Sequence, residues 1–201
     1  MDINKLQKKP WWLWLIIVLS IGAVCASAYA VVNAKQIKNE VAIRASYEEQ
    51  FPNVDESTLT PTQVKIVAIL RTEFAAQPAG TKYSQGVSEP WCADFVSWVM
   101  NEAGLPFTNP HSGSWRIPGT MTLRDYFIAK GKWRPYGGGY VPKTGDIAIY
   151  DGNGPHGQHT NFVVRYASGD LITVGGNEAG AIHRQDHAFN DDLKVVGFGE
   201  L

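Results

Sequence analysis

The sequence predicts an α+β domain built on an antiparallel sheet and preceded by one membrane-spanning helix. Helical signals fill the first half of the globular part and strand signals the second, an order that favours α+β over alternating βα units. The strand candidates are short apolar runs bounded by turn residues. An uncharged stretch from Pro10 to Ala34 follows Lys5, Lys8 and Lys9 near the amino end.

The bulk numbers allow such a domain. Of 201 residues, 44% are hydrophobic and 18% charged, enough to bury a core. The net charge of −1 and pI near 6.5 imply no basic face, so nucleic acid is not an expected partner. Of the two cysteines, Cys25 lies inside the apolar stretch, poorly placed to pair with Cys92. Cys92 is therefore expected to be a free thiol.

At about 1.5 Å per residue, a helix over residues 11–34 crosses a bilayer core of about 30 Å. The lysines favour a cytoplasmic tail at 1–10, and Trp11, Trp12 and Trp14 suit an interfacial belt. A cleaved signal peptide is the competing reading, with Ala26-Ser27-Ala28 or Ala28-Tyr29-Ala30 as the small-residue site. The stretch exceeds the usual h-region of about 7–15 residues, which favours the anchor. A buried soluble helix is the third reading. Either main reading carries the rest of the chain across the membrane.

Residues 35–60 are expected to form a stalk, helical at first (Glu40 and Arg44 stand four apart) and loop-like from Phe51 to Leu59. The globular domain is expected at 61–201. Thr60-Pro61-Thr62-Gln63 predicts a helix start, with Thr60 as N-cap, Pro61 at N1 and Gln63 closing a capping box. Val64, Val67, Leu70 and Phe74 give this helix its core face. A second helix is predicted from Trp91 to Ala103, stopped by Gly104 and Pro106, and a short third from Thr122 to Lys130. Strands are predicted at 146–150, 159–166, 170–174 and 194–198.

Chemistry points to Cys92. It lies in the first turn of its helix, where outward N–H groups and the helix dipole favour a thiolate. An unpaired thiol in an exported domain is exposed to oxidation without offering a disulfide, which argues against simple core filling. A thiolate nucleophile needs a base, and the base an orienting partner. Of the five histidines, His159 opens a predicted strand and is held rigidly, whereas His156 sits in the loop Gly154-Pro155-His156-Gly157. Asn177, after the strand ending at Val174, is the orienting candidate, because an Asn carbonyl can accept the imidazole N–H. Glu178 is its substitute if Asn177 faces away.

Trp91-Cys92-Ala93-Asp94-Phe95-Val96-Ser97-Trp98 resembles the nucleophile motif of CHAP domains, the cysteine, histidine-dependent amidohydrolase/peptidases. Gly145-Asp146-Ile147 and His159-Thr160-Asn161-Phe162-Val163 resemble their Gly-Asp strand and His-bearing strand. Val174-Gly175-Gly176-Asn177 is similar to the segment carrying their third catalytic residue. Many members have Glu-x-Asn there; here Gly175 stands in place of the Glu, leaving a Cys92–His159–Asn177 set. The resemblance covers about residues 61–201. It implies a papain-like (NlpC/P60-type) core and cleavage of an amide bond in peptidoglycan, either muramoyl–L-alanine or a bond in the stem or cross-bridge. On that resemblance Cys92 attacks, His159 moves the proton, and the Cys92 backbone N–H helps hold the oxyanion. Tyr83 is a second oxyanion donor by analogy with related cell-wall peptidases. Trp91 and Trp115 complete the candidate substrate-binding residues.

No cofactor is expected. His183 and His187 stand four apart but lack a helix pattern and a third ligand. Asp151-Gly152-Asn153-Gly154 hints at a calcium loop, yet Phe162 stands where its closing Glu belongs. Gly80 to Glu89 holds no Asp to build a calcium site before the cysteine. Trp115, Trp133, Tyr136 and Tyr140 read as loop or core anchors, with a substrate groove as the second reading. The expected function is a membrane-tethered peptidoglycan hydrolase with its catalytic domain outside the membrane. A non-catalytic wall-binding scaffold and an exported toxin are the alternatives.

Overall fold

The computed structural model describes residues 27, 29–34 and 50–201. The expected cytoplasmic tail at 1–10, most of the expected span at 11–34 and the first part of the expected stalk lie outside the described residues. Residues 29–34 are helical, with Tyr29, Val31 and Val32 exposed. No helix among the described residues is long and apolar enough to cross a membrane. Residues 47–201 form one compact unit.

Three helices lead into the sheet. α1 (Pro61–Ala76) starts on the expected capping box: the Thr60 hydroxyl accepts from the Gln63 backbone N–H while the Gln63 side chain accepts from that of Thr60. α2 (Cys92–Glu102) begins directly at the cysteine, with Trp91 as its N-cap residue. α3 (Thr120–Ala129) follows an irregular loop and starts two residues earlier than the sequence predicts.

The sheet is six-stranded and antiparallel, in the order β1-β6-β2-β3-β4-β5. β1 is Trp133–Pro135, β2 Ile147–Tyr150, β3 His159–Ala167, β4 Asp170–Glu178, β5 Ala181–Ala188 and β6 Val195–Gly199. α2 packs across β3 and β4. This α+β arrangement fits the papain-like core expected of the family.

Both faces of the central strands are covered. Ile147 and Ile149 join Phe95, Val99, Phe162, Val164 and Val174 under the helices. Ala148 and Tyr150 join Val163, Leu171, Val195 and Phe198 on the other face. Alternate residues of β2 thus enter opposite cores, so this strand reads as one continuous apolar run. Each large apolar side chain buried here contributes about 1.5–3 kcal/mol relative to exposure.

Two strands escape the sequence reading, and both lie at the sheet's edges. β1 is three residues long and ends in Pro135; β5 carries Arg184, Asp186 and two histidines. Charge, proline and shortness protect an edge from further pairing, and the same features hide a strand from pattern reading. Residues 50–60, expected as the last part of the stalk, pack on the domain. Phe51 and Val54 pack against the core, Phe51 meets Phe74 edge-on at 5.7 Å, and Arg71 pairs with Glu56. Residues 50–60 therefore belong to the domain surface rather than to a free spacer.

Candidate active site

Cys92 is a free thiol, only 5% exposed, at the first position of α2. Its placement depends on the residue before it. Trp91 stacks on Tyr83 with centroids 5.3 Å apart and contacts Phe95 edge-on. Two glycines make room for this indole: a Cβ on Gly80 or on Gly176 would lie 2.3 Å from a Trp91 ring atom. The loop that approaches Cys92 is tied down as well. Tyr83 donates its hydroxyl to Glu73 Oε2 at 2.7 Å, and Arg116 bridges Glu89 and the buried Asp94 of α2. Burial pushes the Asp94 carboxyl up to about 7, and the Arg116 guanidinium 2.7 Å away favours its ionised form.

His159, the first residue of β3, lies close enough to Cys92 for each side chain to shift the other's titration. Its Nε2 lies 3.2 Å from Glu178 Oε1, which leaves Nδ1 for the sulfur. Glu178 is held in turn by Asn161, whose amide donates to Glu178 Oε1 at 3.3 Å and to Thr173 at 3.0 Å. Tyr150 donates its hydroxyl to the Asn161 carbonyl oxygen at 3.1 Å. The series Cys92, His159, Glu178, Asn161 and Tyr150 runs from the start of α2 into the sheet.

The expected partner of His159 was Asn177; the structure puts Glu178 there instead. The cause is a bulge. Gly175 pairs with His183 and Glu178 with Ala181, so β4 spends two intervening residues against one in β5. Asn177 absorbs the irregularity at φ +63°, a conformation Asn tolerates better than most residues. In a regular strand Gly175 and Asn177 share a face and Glu178 lies on the other. The extra residue reverses that order beyond Gly176 and turns Glu178 toward His159. Gly175 completes the arrangement: a Cβ there would lie 2.6 Å from both Glu178 Oε1 and the Asn161 Cβ. The carboxylate occupies the space a side chain at 175 would need.

The electrostatics follow from these contacts. Burial acts to raise the Cys92 thiol, but the His159 hydrogen bond and charge, the Thr120 hydroxyl and the Thr160 backbone outweigh it and lower the thiol below its usual range. Burial acts against the charged form of His159, yet the bonds to Cys92 and Glu178 and their charges carry it up to about 9. Both shifts favour the thiolate–imidazolium form, the one in which a cysteine attacks.

Residues 82–177, the segment holding Cys92, His159 and the bulge, match the family model of the CHAP domain. The chain carries a CHAP domain. CHAP domains are typically hydrolases, and the family points to amidase or peptidase action on peptidoglycan. No curated protein matches the chain.

Within this CHAP domain several expected residues take structural places. Tyr83 is fully buried with its hydroxyl committed to Glu73, so it donates to no oxyanion in this arrangement. Trp91 is 7% exposed and locked between two glycines, which makes it an anchor for α2 rather than a wall for substrate. Trp115 is half-buried in the loop before α3, beside Arg116, and remains the substrate-facing candidate. Trp133 packs on the core, Tyr136 donates to Asp191 and Tyr140 to Asp146, as loop anchors do. Asp146 of the Gly-Asp pair accepts from Tyr140, the Lys143 backbone and the Leu201 backbone, so that motif ties the end of β6 to the start of β2.

His156 lies against Tyr150 and His187, 6.1 Å from the His159 ring. Burial, with the nearby His187 and His159, pushes it down to about 4, so it stays neutral beside a charged His159. His183 and His187 both lie on β5, where a separation of four residues spans about 13 Å, too far to share an ion. Among the described residues no group of His, Cys, Asp or Glu is arranged to hold a metal.

Thr120, Thr160 and Asn161 went unassigned in the sequence. Asn161 carried a signal: a polar amide inside an otherwise apolar strand is buried only with partners. Thr120 is 28 residues beyond the cysteine, and nothing local marks it.

The bulge makes a testable distinction. Glu178→Ala is expected to lower kcat by about 100-fold or more, through loss of the group that orients and charges His159. Asn177→Gly, which keeps the left-handed backbone, is expected to leave kcat within a few-fold of the parent. Side-by-side turnover of the two variants decides it, and the reverse ranking would restore Asn177 as the orienting residue.

Proposed function

We propose that the protein is a peptidoglycan hydrolase that cleaves an amide bond, with Cys92 as nucleophile, His159 as acid and base, and Glu178 orienting the imidazole. One observation carries this reading: a buried cysteine at a helix N-terminus, beside a histidine that a buried glutamate holds in place. In this mechanism the Cys92 thiolate attacks the amide carbonyl carbon and forms a thioester-bound acyl enzyme. His159 gives its proton to the departing amine. It then takes one from water, which attacks the thioester and releases the acid. The oxygen that becomes negative lies next to the Cys92 backbone N–H at the start of α2, where the helix dipole favours negative charge.

A wall-binding scaffold needs none of this. Burying a cysteine, a histidine and a glutamate together carries a desolvation cost that a purely structural domain gains nothing from. The uncharged stretch after Lys8 and Lys9 supports a tether in a cytoplasmic membrane, with the catalytic domain on the far side. Digestion of purified sacculi tests the reaction. New free amino groups and a defined set of muropeptides, resolved by mass spectrometry, are the expected products, formed equally well in the presence of a chelator. Intact sacculi after prolonged digestion, or activity that a chelator abolishes and zinc restores, would overturn the reading.

A further inference from the structure

Thr120 opens α3, one position past the residue where a threonine would cap the helix. Gly119 holds the N-cap position, and α3 has no side-chain cap hydrogen bond. The Thr120 hydroxyl is thus not spent on its own helix. The residue is only 6% exposed, and its hydroxyl faces the Cys92 sulfur at 3.8 Å. A buried hydroxyl requires a partner, and here the partner is the sulfur.

The direction of this bond depends on the charge of Cys92. A neutral thiol can donate or accept, but a thiolate only accepts. With Cys92 ionised, the hydroxyl must therefore be the donor. The first turn of a second helix also comes to the sulfur with it, so α2 and α3 both bring their positive ends to the same atom.

We propose that Thr120 is a catalytic residue whose hydroxyl donates to the Cys92 thiolate, beside the nearby His159. The proposal rests on Cys92 being the nucleophile. Its effect is on the fraction of enzyme carrying a reactive sulfur, and the lowering of the Cys92 thiol by Thr120 has the matching sign.

The test needs no peptidoglycan. In the full-length chain, the rate at which iodoacetamide alkylates Cys92 is followed against pH. The Cys92 peptide is quantified by mass spectrometry, so that Cys25 does not contribute. Thr120→Val removes the hydroxyl and keeps the shape. Its alkylation midpoint is expected to rise by about one pH unit, slowing alkylation about tenfold below the midpoint. Thr120→Ser keeps the hydroxyl and is expected to titrate like the parent.

An unchanged midpoint in Thr120→Val, or an equal shift in Thr120→Ser, would overturn the proposal. If Thr120→Val loses its near-ultraviolet circular dichroism, Thr120→Ala against Thr120→Ser decides on the same criterion. Failure of the amide-cleaving reading would appear in sacculus digestion and not in this titration, so the two are separable.

Discussion

Cys92→Ala is expected to lose hydrolysis of purified sacculi by at least about 10⁴-fold, since it removes the sulfur that forms the acyl enzyme. The fold is expected to survive. The side chain is small, its Cβ is retained, and alanine suits the first turn of a helix. The variant also removes one member of a buried charge pair, leaving His159 with Glu178 alone. His159 should then titrate with one fewer stabilising charge, which nuclear magnetic resonance of the imidazole can follow. Release of soluble muropeptides measures the loss, and far-ultraviolet circular dichroism measures the fold. Parent-like activity in a folded Cys92→Ala chain would end the cysteine mechanism.

His159→Ala is expected to lower kcat by about 10³–10⁴-fold, the range for removing a positioned acid and base that also activates its nucleophile. His156→Ala is expected to cost less than about tenfold, because His156 contacts the rings of Tyr150, His187 and His159 and makes no hydrogen bond to the sulfur. A larger loss in His156→Ala than in His159→Ala would reverse the assignment.

The pH dependence carries the same signature. The ion pair exists above the lowered midpoint of Cys92 and below the raised midpoint of His159, so parent activity should fall as pH rises through about 9. In His159→Ala that alkaline limb should vanish. The sign for stability is the same. The folded-state midpoint of His159 lies above its ordinary value of 6.5, so protonation there favours the folded chain fully below that value. The contribution is lost as pH rises through about 9.

The parts of this domain that could be read from the sequence are those written in local chemistry. The capping box of Thr60 and Gln63 marks the start of α1, and the apolar run at 147–150 marks a strand buried on both faces. Cys92 before an apolar helix and His159 before an apolar strand identify two side chains that the structure brings together. The rest depends on tertiary context. The edge strands β1 and β5 take their form from neighbours rather than from their own residues. Which of Asn177 and Glu178 meets His159 is decided by one extra residue in the β4–β5 ladder and by the two-residue turn at Ala179 and Gly180, both at positive φ. Simple alternation along the strand gives the opposite answer. Tyr83 and Trp91 precede the cysteine in sequence but face the core, because Glu73 and two glycines receive them there.

The vacancy at Gly175 has a consequence for how such a site can change over time. One pocket beside His159 admits one carboxylate, and two places on the strand, 175 and 178, can deliver it. A glutamate gained at 175 while Glu178 remains would force two negative groups into the space of one. A Glu178 lost while 175 is still glycine would leave the imidazole without an acid. The two positions are therefore coupled: a carboxylate at 178 requires a residue without a side chain at 175, and a change at either one is felt first at the imidazole.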